Sequence, residues 1–415
     1  MTSSKSHDAI STAVAQADAA DGPVQHRLLT RILGRMLPPL ECGQLVVETP
    51  SGERVATTGQ QSGPQGVVIL HRWNGLWRCI VSGEMGFAEG YMAGDWSTPD
   101  IVSLLDLGVQ NGECLQRASA GSRAFQWLNR LQHRRRANTK RGSRRNIAAH
   151  YDLGNEFYAR WLDRSMTYSS ALFLAPDQSL EEAQQAKIDR AIELMEITGG
   201  ERVLEIGCGW GGMAERLIAR HGCTVTGLTL SAEQLAYAQR RLQAQGLDAR
   251  ADLRLQDYRD VSEQFDRIVS IEMLEAVGQD YWPAFFSKLN ACLKPGGIAV
   301  LQGITIEEQR FEAYRRTPDF IQRYIFPGGM LPTITAMRQE IERAGLALGS
   351  LETFGHSYAR TLAAWQHRFQ RAWPDIQHFG FGDSFKRMWE YYLAYCEAGF
   401  RLGAIDVGLY RIRRS

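Results

Sequence analysis

A glycine-rich turn at residues 203–212 carries the residue types best suited to chemistry in this chain. It reads Val-Leu-Glu-Ile-Gly-Cys-Gly-Trp-Gly-Gly, an apolar strand followed by glycines and then by a helix. Glycine lets the backbone bend tightly and approach a ligand, and the first turn of the helix presents unpaired N–H groups to it. The spacing Gly-x-Gly-x-Gly differs from the Gly-x-Gly-x-x-Gly of dinucleotide sites, so the turn favours S-adenosylmethionine over NAD.

Polar residues farther along could bind the rest of such a cofactor. Residues 227–231 read Gly-Leu-Thr-Leu-Ser, where methyltransferases usually carry an acid for the ribose hydroxyls. Gln234 can hydrogen-bond a diol instead, or it can form a capping box with Ser231. Asp257 and Tyr258 offer a carboxylate and an aromatic face to adenine, or they form a polar loop with a packing tyrosine.

Two carboxylates, Glu272 and Glu275, follow the fourth strand of the same region. Carboxylates there could act as a base or stabilise a developing cation. The alternative is a surface or salt-bridged glutamate. No Asp/Asn-Pro-Pro-aromatic signature follows this strand, which argues against methylation of nucleobase amino groups.

The elements that must position these residues alternate between helix and strand from residue 179 onward. A capping box at Ser179 and Glu182 predicts the start of the first helix. Strands are predicted at 202–206, 224–228, 252–255, 267–271 and 298–302, and helices at 179–195, 213–221, 231–245 and 281–293, with a Lys-Pro-Gly-Gly loop at 294–297. This alternation predicts an α/β fold with a doubly wound parallel sheet, which binds ligands at the carboxyl ends of its strands.

The first part of the chain predicts a smaller α+β domain. At 415 residues the chain should hold two domains. Residues 1–22 are predicted to be a disordered tail, residues 23–120 an N-terminal accessory domain, and residues 146–415 the catalytic domain. Within the accessory domain, helices are predicted at 24–40 and 101–107 and strands at 45–48, 66–71 and 76–82.

The linker at residues 121–145 is basic. From 130 to 145 it contains eight Lys or Arg residues and no acid. It is either a solvated linker or a contact with anionic lipid headgroups, to which each such residue contributes about 1 kcal/mol. An RNA contact is a third option, but no nucleic-acid motif accompanies the segment.

Charge and cysteine content bear on the partners and the location of the protein. Its 47 basic and 46 acidic residues leave a net charge of +1, which gives no global field for nucleic acid. The seven cysteines show no metal-ligand spacing, which predicts reduced thiols, a cytoplasmic setting and no metal. Without a signal peptide or an apolar span, we expect neither secretion nor a membrane-spanning helix.

Several longer segments together resemble the cyclopropane fatty acyl phospholipid synthases, a family that includes mycolic acid cyclopropane synthases and methyl-branching enzymes. They include His-Tyr-Asp-Leu-Gly-Asn-Glu-Phe at 150–157, Met-Thr-Tyr-Ser-Ser at 166–170, the glycine turn, and Arg-Tyr-Ile-Phe-Pro-Gly-Gly-Met-Leu-Pro at 323–332. The resemblance covers about 140–412, and residues 24–110 resemble the family's N-terminal domain. It implies methyl transfer from S-adenosylmethionine to a cis double bond of a membrane phospholipid, on the inner face of the cytoplasmic membrane.

The resemblance also implies site residues. With the polar loop after the third strand included, the expected cofactor residues are Tyr168, Ser169, Val203, Leu204, Glu205, Ile206, Gly207, Cys208, Gly209, Trp210, Gly211, Thr229, Leu230, Ser231, Gln234, Asp257, Tyr258 and Arg259. An acyl tail of a dozen methylenes needs an apolar tunnel, since its exposure to water would cost roughly 10 kcal/mol. Trp365, Phe369, Trp373, Phe379, Phe381, Trp389 and Tyr392 could line that tunnel or form ordinary helical core.

In the ring-forming members a bicarbonate held by Cys, Glu, His, an Ile backbone and Tyr is thought to take the proton. Glu275, Ile304 and Tyr358 match that set, but Ser170 occupies the position of the Cys and Gln302 occupies the position of the His. Ala276 also replaces a usual His. Cys396 matches a cysteine often marked as the active site, or it is a packing residue.

Glu272 stands where the ring-forming relatives usually carry Gly. We hypothesise that Glu272 supplies part of the negative charge or base function of bicarbonate, whose binding here is therefore an open question. Proton loss from a chain carbon would then give a methyl-branched or methylene lipid instead of a cyclopropane.

Two other classes remain as alternatives, a soluble small-molecule methyltransferase and a non-catalytic lipid-binding protein. The oligomeric state is also open, a homodimer included.

Overall fold

The structure is a computed structural model that describes residues 23–112, 114–115 and 153–415. Contacts divide the chain into two compact units. The N-terminal unit comprises Met1–Leu131 and Gly380–Leu402, and the sheet unit comprises Gln132–Phe379 and Gly403–Ser415. The predicted tail at 1–22 and the basic linker at 121–145 lie outside the described residues.

The N-terminal unit combines a small sheet with helices. Its elements are α1 (Pro23–Met36), β1 (Cys42–Glu48), β2 (Arg54–Thr58), β3 (Gln61–Leu70), α2 (Trp73–Ser82), α3 (Glu84–Ala93), β4 (Trp96–Ser97) and α4 (Ile101–Gln110). The strand order is β2-β1-β3-β4. Asp100 begins α4 by accepting hydrogen bonds from the N–H groups of Val102 and Ser103, both at 3.0 Å. The predicted α+β composition is therefore present.

A mixed seven-stranded sheet forms the centre of the sheet unit. The strands are β5 (Arg202–Ile206), β6 (Thr224–Thr229), β7 (Ala251–Leu255), β8 (Phe265–Ile271), β9 (Leu293–Ile306), β10 (Leu346–Thr353) and β11 (Ile405–Arg414). Their order is β10-β11-β9-β8-β5-β6-β7. The five strands from β9 to β7 are parallel, whereas β11 is antiparallel to both of its neighbours.

Helices cover both faces of this sheet. They are α5 (Asn155–Ala159), α6 (Leu180–Leu194), α7 (Gly212–His221), α8 (Ala232–Ala244), α9 (Trp282–Cys292), α10 (Glu308–Tyr314), α11 (Ile334–Arg343) and α12 (Gly355–Ile376). The neighbouring residues Val203 and Leu204 of β5 enter different core clusters, as the alternation of a strand requires. Both faces of the sheet are thus buried, which leaves the ends of its strands as the place for a ligand.

The structure confirms the predicted α/β fold and its smaller N-terminal unit, with corrections. The capping box of Ser179 and Glu182 begins α6 as predicted. The predicted strand at 76–82 is wrong, because these residues belong to α2, which ends at Gly83. A short apolar run fits either a strand or a buried helix by periodicity alone. The helix predicted at 24–40 ends earlier, at Met36.

Two corrections concern the sheet. Residues 294–297 were predicted to be a loop between helix and strand, but they lie within β9, where the pairing with β8 is irregular. The sequence reading did not assign β10 and β11, and it therefore described as parallel a sheet that is mixed. Strand β11 carries Arg411, Arg413 and Arg414, and this charge conceals the buried run from Val407 to Tyr410.

One helix belongs to a different unit from the one expected. Helix α13 (Asp383–Arg401) was placed in the catalytic domain by sequence, yet it packs on α4 and α3 within the N-terminal unit. Its Arg401 forms ion pairs with Asp106 of α4 and with Glu397. Among the described residues, no helix combines the length and apolarity needed to cross a bilayer.

Candidate active site

The glycine turn joins the end of β5 to the start of α7. Gly207, Gly209 and Gly211 have positive φ angles of 88°, 50° and 84°, which only glycine adopts readily. The N–H groups of Gly207 and Cys208 donate to the carbonyl of Leu228 at 2.9 and 2.8 Å, which fixes the turn to the end of β6. A Cβ on Gly209 would meet no atom within 4 Å, so the space beside the turn is open.

Glu205 supplies an unsatisfied acceptor on the same strand. Its side chain is buried, and its Oε2 has no hydrogen-bond partner among the described residues. Burial raises the pKa of Glu205 to about 8, while the charge of Lys187 opposes this shift. Open space beside a glycine turn and an unpaired carboxylate oxygen fit a bound S-adenosylmethionine.

The other residues of β5 and its turn are buried. Val203, Leu204 and Ile206 lie in the core with 0 to 3% exposure, so only their backbone can face a ligand. The indole Nε1 of Trp210 donates to Oδ1 of Asn155 at 2.7 Å. Trp210 therefore ties the turn to α5.

The segment after β6 is organised by its own side chains. Thr229 donates its hydroxyl to Oε1 of Gln234 at 3.0 Å, and Ser231 begins α8 by accepting the N–H of Gln234 at 3.3 Å. Ser231 therefore acts as the N-cap, and the Gln234 side chain turns toward Thr229. Leu230 is partly buried. A role of Gln234 in binding a ribose remains a prediction.

The loop after β7 has partners of its own. Arg259 donates to both carboxylate oxygens of Asp257, at 2.8 and 2.6 Å. Tyr258 packs edge-on against Phe285 with ring centroids 5.3 Å apart. A role of Asp257 and Tyr258 in binding adenine remains a prediction.

Helix α6 holds the loop that carries Ser169 and Ser170. Gln184 donates to the Ser169 carbonyl at 2.8 Å, and Nζ of Lys187 donates to the Ser169 hydroxyl at 2.8 Å. Earlier in this loop, Asp163 accepts the N–H of Ser165 at 2.8 Å. All of these contacts are buried or partly buried, so the loop is fixed against the end of the sheet.

Glu272 lies at the centre of the site. Its Oε1 accepts the N–H of Ser170 at 2.8 Å and Nε2 of Gln302 at 2.7 Å. Its Oε2 accepts the hydroxyl of Tyr358 at 2.6 Å. Glu272 has a φ of 49°, a left-handed conformation that costs a non-glycine residue roughly 1–2 kcal/mol. Three hydrogen bonds to one carboxylate, made in a strained conformation, are typical of a functional position.

Glu275 lies next to this centre. Its Oε1 accepts the N–H of Ile304 at 2.5 Å, while its Oε2 is buried without a hydrogen-bond partner among the described residues. Burial raises the pKa of Glu275 to about 8, and the charge of Glu272 adds to the rise. Burial also raises the pKa of Glu272, while the hydrogen bonds from Tyr358 and Ser170 oppose the rise. Both groups are thus stronger bases than an exposed glutamate.

Aromatic rings pack beside the carboxylates. Tyr168 contacts Trp365 and Trp161, with centroids 5.3 and 5.6 Å apart, and Tyr358 meets Trp365 edge-on at 6.1 Å. Such rings keep water out and offer negative π faces to a cation. A role of Tyr168 in binding the cofactor remains a prediction.

The structure brings together most, but not all, of the predicted catalytic residues. Ser170, Gln302 and Tyr358 donate to Glu272, and Ile304 donates to Glu275 three residues farther along the chain. Cys396 lies on α13 of the N-terminal unit, and its catalytic role stays a prediction. Of the expected acyl-lining residues, Trp365, Phe369 and Trp373 are buried in α12 and Phe379 is exposed, whereas Phe381, Trp389 and Tyr392 lie in the N-terminal unit.

Sequence reasoning missed Gln184 and Lys187. The signal was available, because both lie on the face of α6 formed by the apolar positions Leu180, Ala183 and Ile188. A polar side chain on an apolar helix face must find a buried partner.

A mixed seven-stranded sheet whose β5 leads through a glycine turn into α7 defines a class I S-adenosylmethionine-dependent methyltransferase. The family model of mycolic acid cyclopropane synthetase matches residues 138–409. The chain belongs to this family. It is therefore a methyltransferase of a family of lipid cyclopropane and methyl-branching synthases, with S-adenosylmethionine as cofactor.

Relatives within the family differ in the reaction that their names describe. The tuberculostearic acid methyltransferase UfaA1 of Mycobacterium tuberculosis is 40% identical over 82% of this chain and 81% of its own. The cyclopropane-fatty-acyl-phospholipid synthase of Escherichia coli is 37% identical over 81% and 84%. The solved mycolic acid cyclopropane synthase CmaA1, complexed with SAH and CTAB, is 31% identical with a TM-score of 0.62, over 65% of this chain and 98% of that one.

Proposed function

We propose that this chain transfers the methyl group of S-adenosylmethionine to a cis double bond of an unsaturated phospholipid acyl chain, and that Glu272 accepts the proton that the product loses. The product is then a methyl-branched or methylene acyl chain. The Glu272 carboxylate, fixed by Ser170, Gln302 and Tyr358, carries the proposal.

The chemistry requires a base beside a dry, apolar site. Bound S-adenosylmethionine supplies an electrophilic methyl group. Methylation of an alkene forms one carbon–carbon bond and leaves a carbocation on the acyl chain, which water would quench. The cation is discharged when a neighbouring C–H bond breaks, its electron pair forms a new double bond, and the proton passes to Glu272. Proton loss from a chain carbon gives a methyl-branched alkene, and a hydride shift followed by loss from the methyl gives a methylene group.

Glu272 accepts hydrogen bonds from three of the five positions that the family resemblance implies for bicarbonate in ring-forming members. The N–H of Ser170, Nε2 of Gln302 and the hydroxyl of Tyr358 all point to its carboxylate. A bicarbonate at this place would lose those donors and meet a like charge, so this donor set does not fit it. The relatives' names alone leave the product open, because one of them is a cyclopropane synthase and another a tuberculostearic acid methyltransferase.

The test uses the full-length protein, S-adenosylmethionine carrying a trideuterated methyl group, and vesicles of dioleoyl phosphatidylglycerol. Fatty acid methyl esters are then read by mass spectrometry before and after mild hydrogenation. A methyl-branched alkene keeps all three deuterium atoms and a methylene product keeps two, and both take up hydrogen. A cyclopropane keeps two and resists mild hydrogenation, so this product would refute the proposal.

Variants assign the step to Glu272. Glu272→Gln keeps the size of the side chain but removes the base, so product formation should fall on the order of a hundredfold or more. Glu352→Gln is the matched control, because Glu352 pairs with Arg190 at a half-exposed position. An unchanged rate and product in Glu272→Gln would exclude Glu272 as the base. No label in any lipid would favour a small-molecule methyltransferase or a non-catalytic protein.

We also propose that the basic segment at 130–145 binds an anionic membrane surface on the cytoplasmic side. Eight Lys or Arg residues without an acid support this contact, each adding about 1 kcal/mol. Flotation should recover the protein with phosphatidylglycerol vesicles at low salt and lose it as salt rises. Equal binding to phosphatidylcholine vesicles would contradict the electrostatic contact.

A further inference from the structure

Lys187 is a buried cation that the proposed reaction does not use. It is 1% exposed, and its Nζ donates to the Ser169 hydroxyl at 2.8 Å. Gln184, one turn earlier on α6, donates to the Ser169 carbonyl at 2.8 Å. One helix face therefore holds Ser169 by both its side chain and its backbone.

The peptide bond after Ser169 leads directly to Glu272. The carbonyl of this peptide accepts from Gln184, and its N–H, which belongs to Ser170, donates to Oε1 of Glu272 at 2.8 Å. The peptide unit is thus fixed from both sides, by α6 and by the carboxylate. A shift of Lys187 would be transmitted through Ser169 to one of the three donors of Glu272.

The charges around Lys187 favour its protonated form. Burial lowers the pKa of Lys187 to about 8, but the carboxylates of Glu272, Asp163 and Glu205 oppose the shift. Other charged or titratable groups face these partners. Glu272 faces Tyr358 and Glu275, while Glu205 faces Arg241 and Cys208. The charges of an ammonium and of nearby carboxylates favour each other's ionised forms, so the effect of Glu272 on Lys187 has a counterpart in the effect of Lys187 on Glu272.

We propose that Lys187 is a positioning residue for Glu272. Its ammonium group holds the side chain of Ser169, next to the Ser170 N–H that donates to Glu272, and its charge favours the ionised Glu272 carboxylate. This inference rests on the proposed role of Glu272 as the proton acceptor. The coupling between the two side chains is nevertheless a property of the free protein, so it can be measured without any reaction.

The first test is an NMR titration of the full-length protein with ¹³C-labelled lysine. The Lys187 resonance is assigned by its loss in Lys187→Arg. Because coupling between two sites is reciprocal, Glu272→Gln should move the Lys187 midpoint to lower pH. Glu352→Gln, the control, should leave the midpoint in place. An unchanged Lys187 midpoint in Glu272→Gln overturns the proposal.

The second test is the pH dependence of kcat. Lys187→Gln can still bond Ser169 but lacks the charge, and Lys187→Met lacks both. In each, the acidic midpoint of kcat should move to higher pH, and kcat at neutral pH should fall on the order of tenfold or more. Lys187→Arg should keep the midpoint. Lys294→Met, which removes a surface partner of Asp266, is the control.

The outcomes separate the two proposals. Lower activity of Lys187→Gln with an unmoved midpoint and an intact fold indicates a structural role and overturns this inference. If the neutral variants do not fold, the NMR comparison of wild type with Glu272→Gln decides. If the Lys187 midpoint moves in Glu272→Gln but the wild type forms no methylated lipid, the proposed function is refuted while the coupling is supported.

Discussion

Removal of the Tyr358 hydroxyl is the most direct perturbation of the proposed base. The Tyr358→Phe change deletes one donor, 2.6 Å from Oε2 of Glu272, and leaves the ring that packs against Trp365. A hydrogen bond to a charged group is worth about 1.5–3 kcal/mol. If the carboxylate needs that bond in the transition state, kcat falls by roughly ten- to a hundredfold.

The direction of the pH effect follows from the same contact. Burial raises the pKa of Glu272, and the bond from Tyr358 opposes this rise. Without the hydroxyl the pKa rises further, so the carboxylate becomes protonated at a higher pH. The acidic limb of the pH profile of kcat should therefore move upward in Tyr358→Phe.

The assay measures label transfer from S-adenosylmethionine to dioleoyl phosphatidylglycerol vesicles across a pH series. Tyr314→Phe is the control, because the Tyr314 hydroxyl accepts a long hydrogen bond from Leu331 at 3.4 Å. The control should stay within about twofold of wild type, since a hydrogen bond of this length contributes little. A Tyr358→Phe protein with a kcat within twofold of wild type and an unmoved acidic limb would refute the reasoning.

Three further predictions test other parts of the site. Combining Ser170→Cys, Glu272→Gly and Gln302→His should make activity depend on added bicarbonate and shift the product to a cyclopropane. Activity that does not depend on bicarbonate would contradict the idea that Glu272 takes the place of bicarbonate. In the folded state Glu275 keeps its proton up to about pH 8, whereas in the unfolded chain it loses the proton near pH 4.3. The free energy of unfolding of wild type should therefore fall between pH 5 and 8, and in Glu275→Gln it should fall less. Urea denaturation at several pH values measures this, and an equal fall in both proteins would contradict the prediction. Gly207→Ala puts a Cβ at a φ of 88° and 3.1 Å from a methionine side chain, so calorimetry should show weaker binding of S-adenosylmethionine, and unchanged affinity would exclude a strained turn.

The parts of the fold that sequence could predict are those set by local periodicity. The glycine turn, the capping box of α6 and the alternation from β5 to β9 each depend on residues within a few positions of one another. The edge strand β10 pairs with its neighbour β11 across about 60 residues, for example Leu351 with Tyr410, and the arginines of β11 hide its short buried run. Their antiparallel direction could not follow from local pattern.

The candidate site shows the same division. The spacing of Glu272 and Glu275 placed two carboxylates at the end of β8, and this part follows from sequence. The donors to Glu272 come from positions 102, 30 and 86 residues away in the chain. Their convergence depends on how α12 and the loop before α6 pack against the sheet, which no local pattern encodes.

The departures from the ring-forming pattern at Ser170, Glu272 and Gln302 form one contact set. Glycine adopts a φ of 49° readily, so a glutamate can replace a glycine at 272 on the same backbone at a cost of roughly 1–2 kcal/mol. Three hydrogen bonds to the carboxylate offset that cost. A neutral amide at 302 donates to this carboxylate at any pH, whereas a histidine donor would titrate. The three departures therefore place a carboxylate of the chain itself where the family resemblance implies a bound bicarbonate, which supports the role proposed for Glu272.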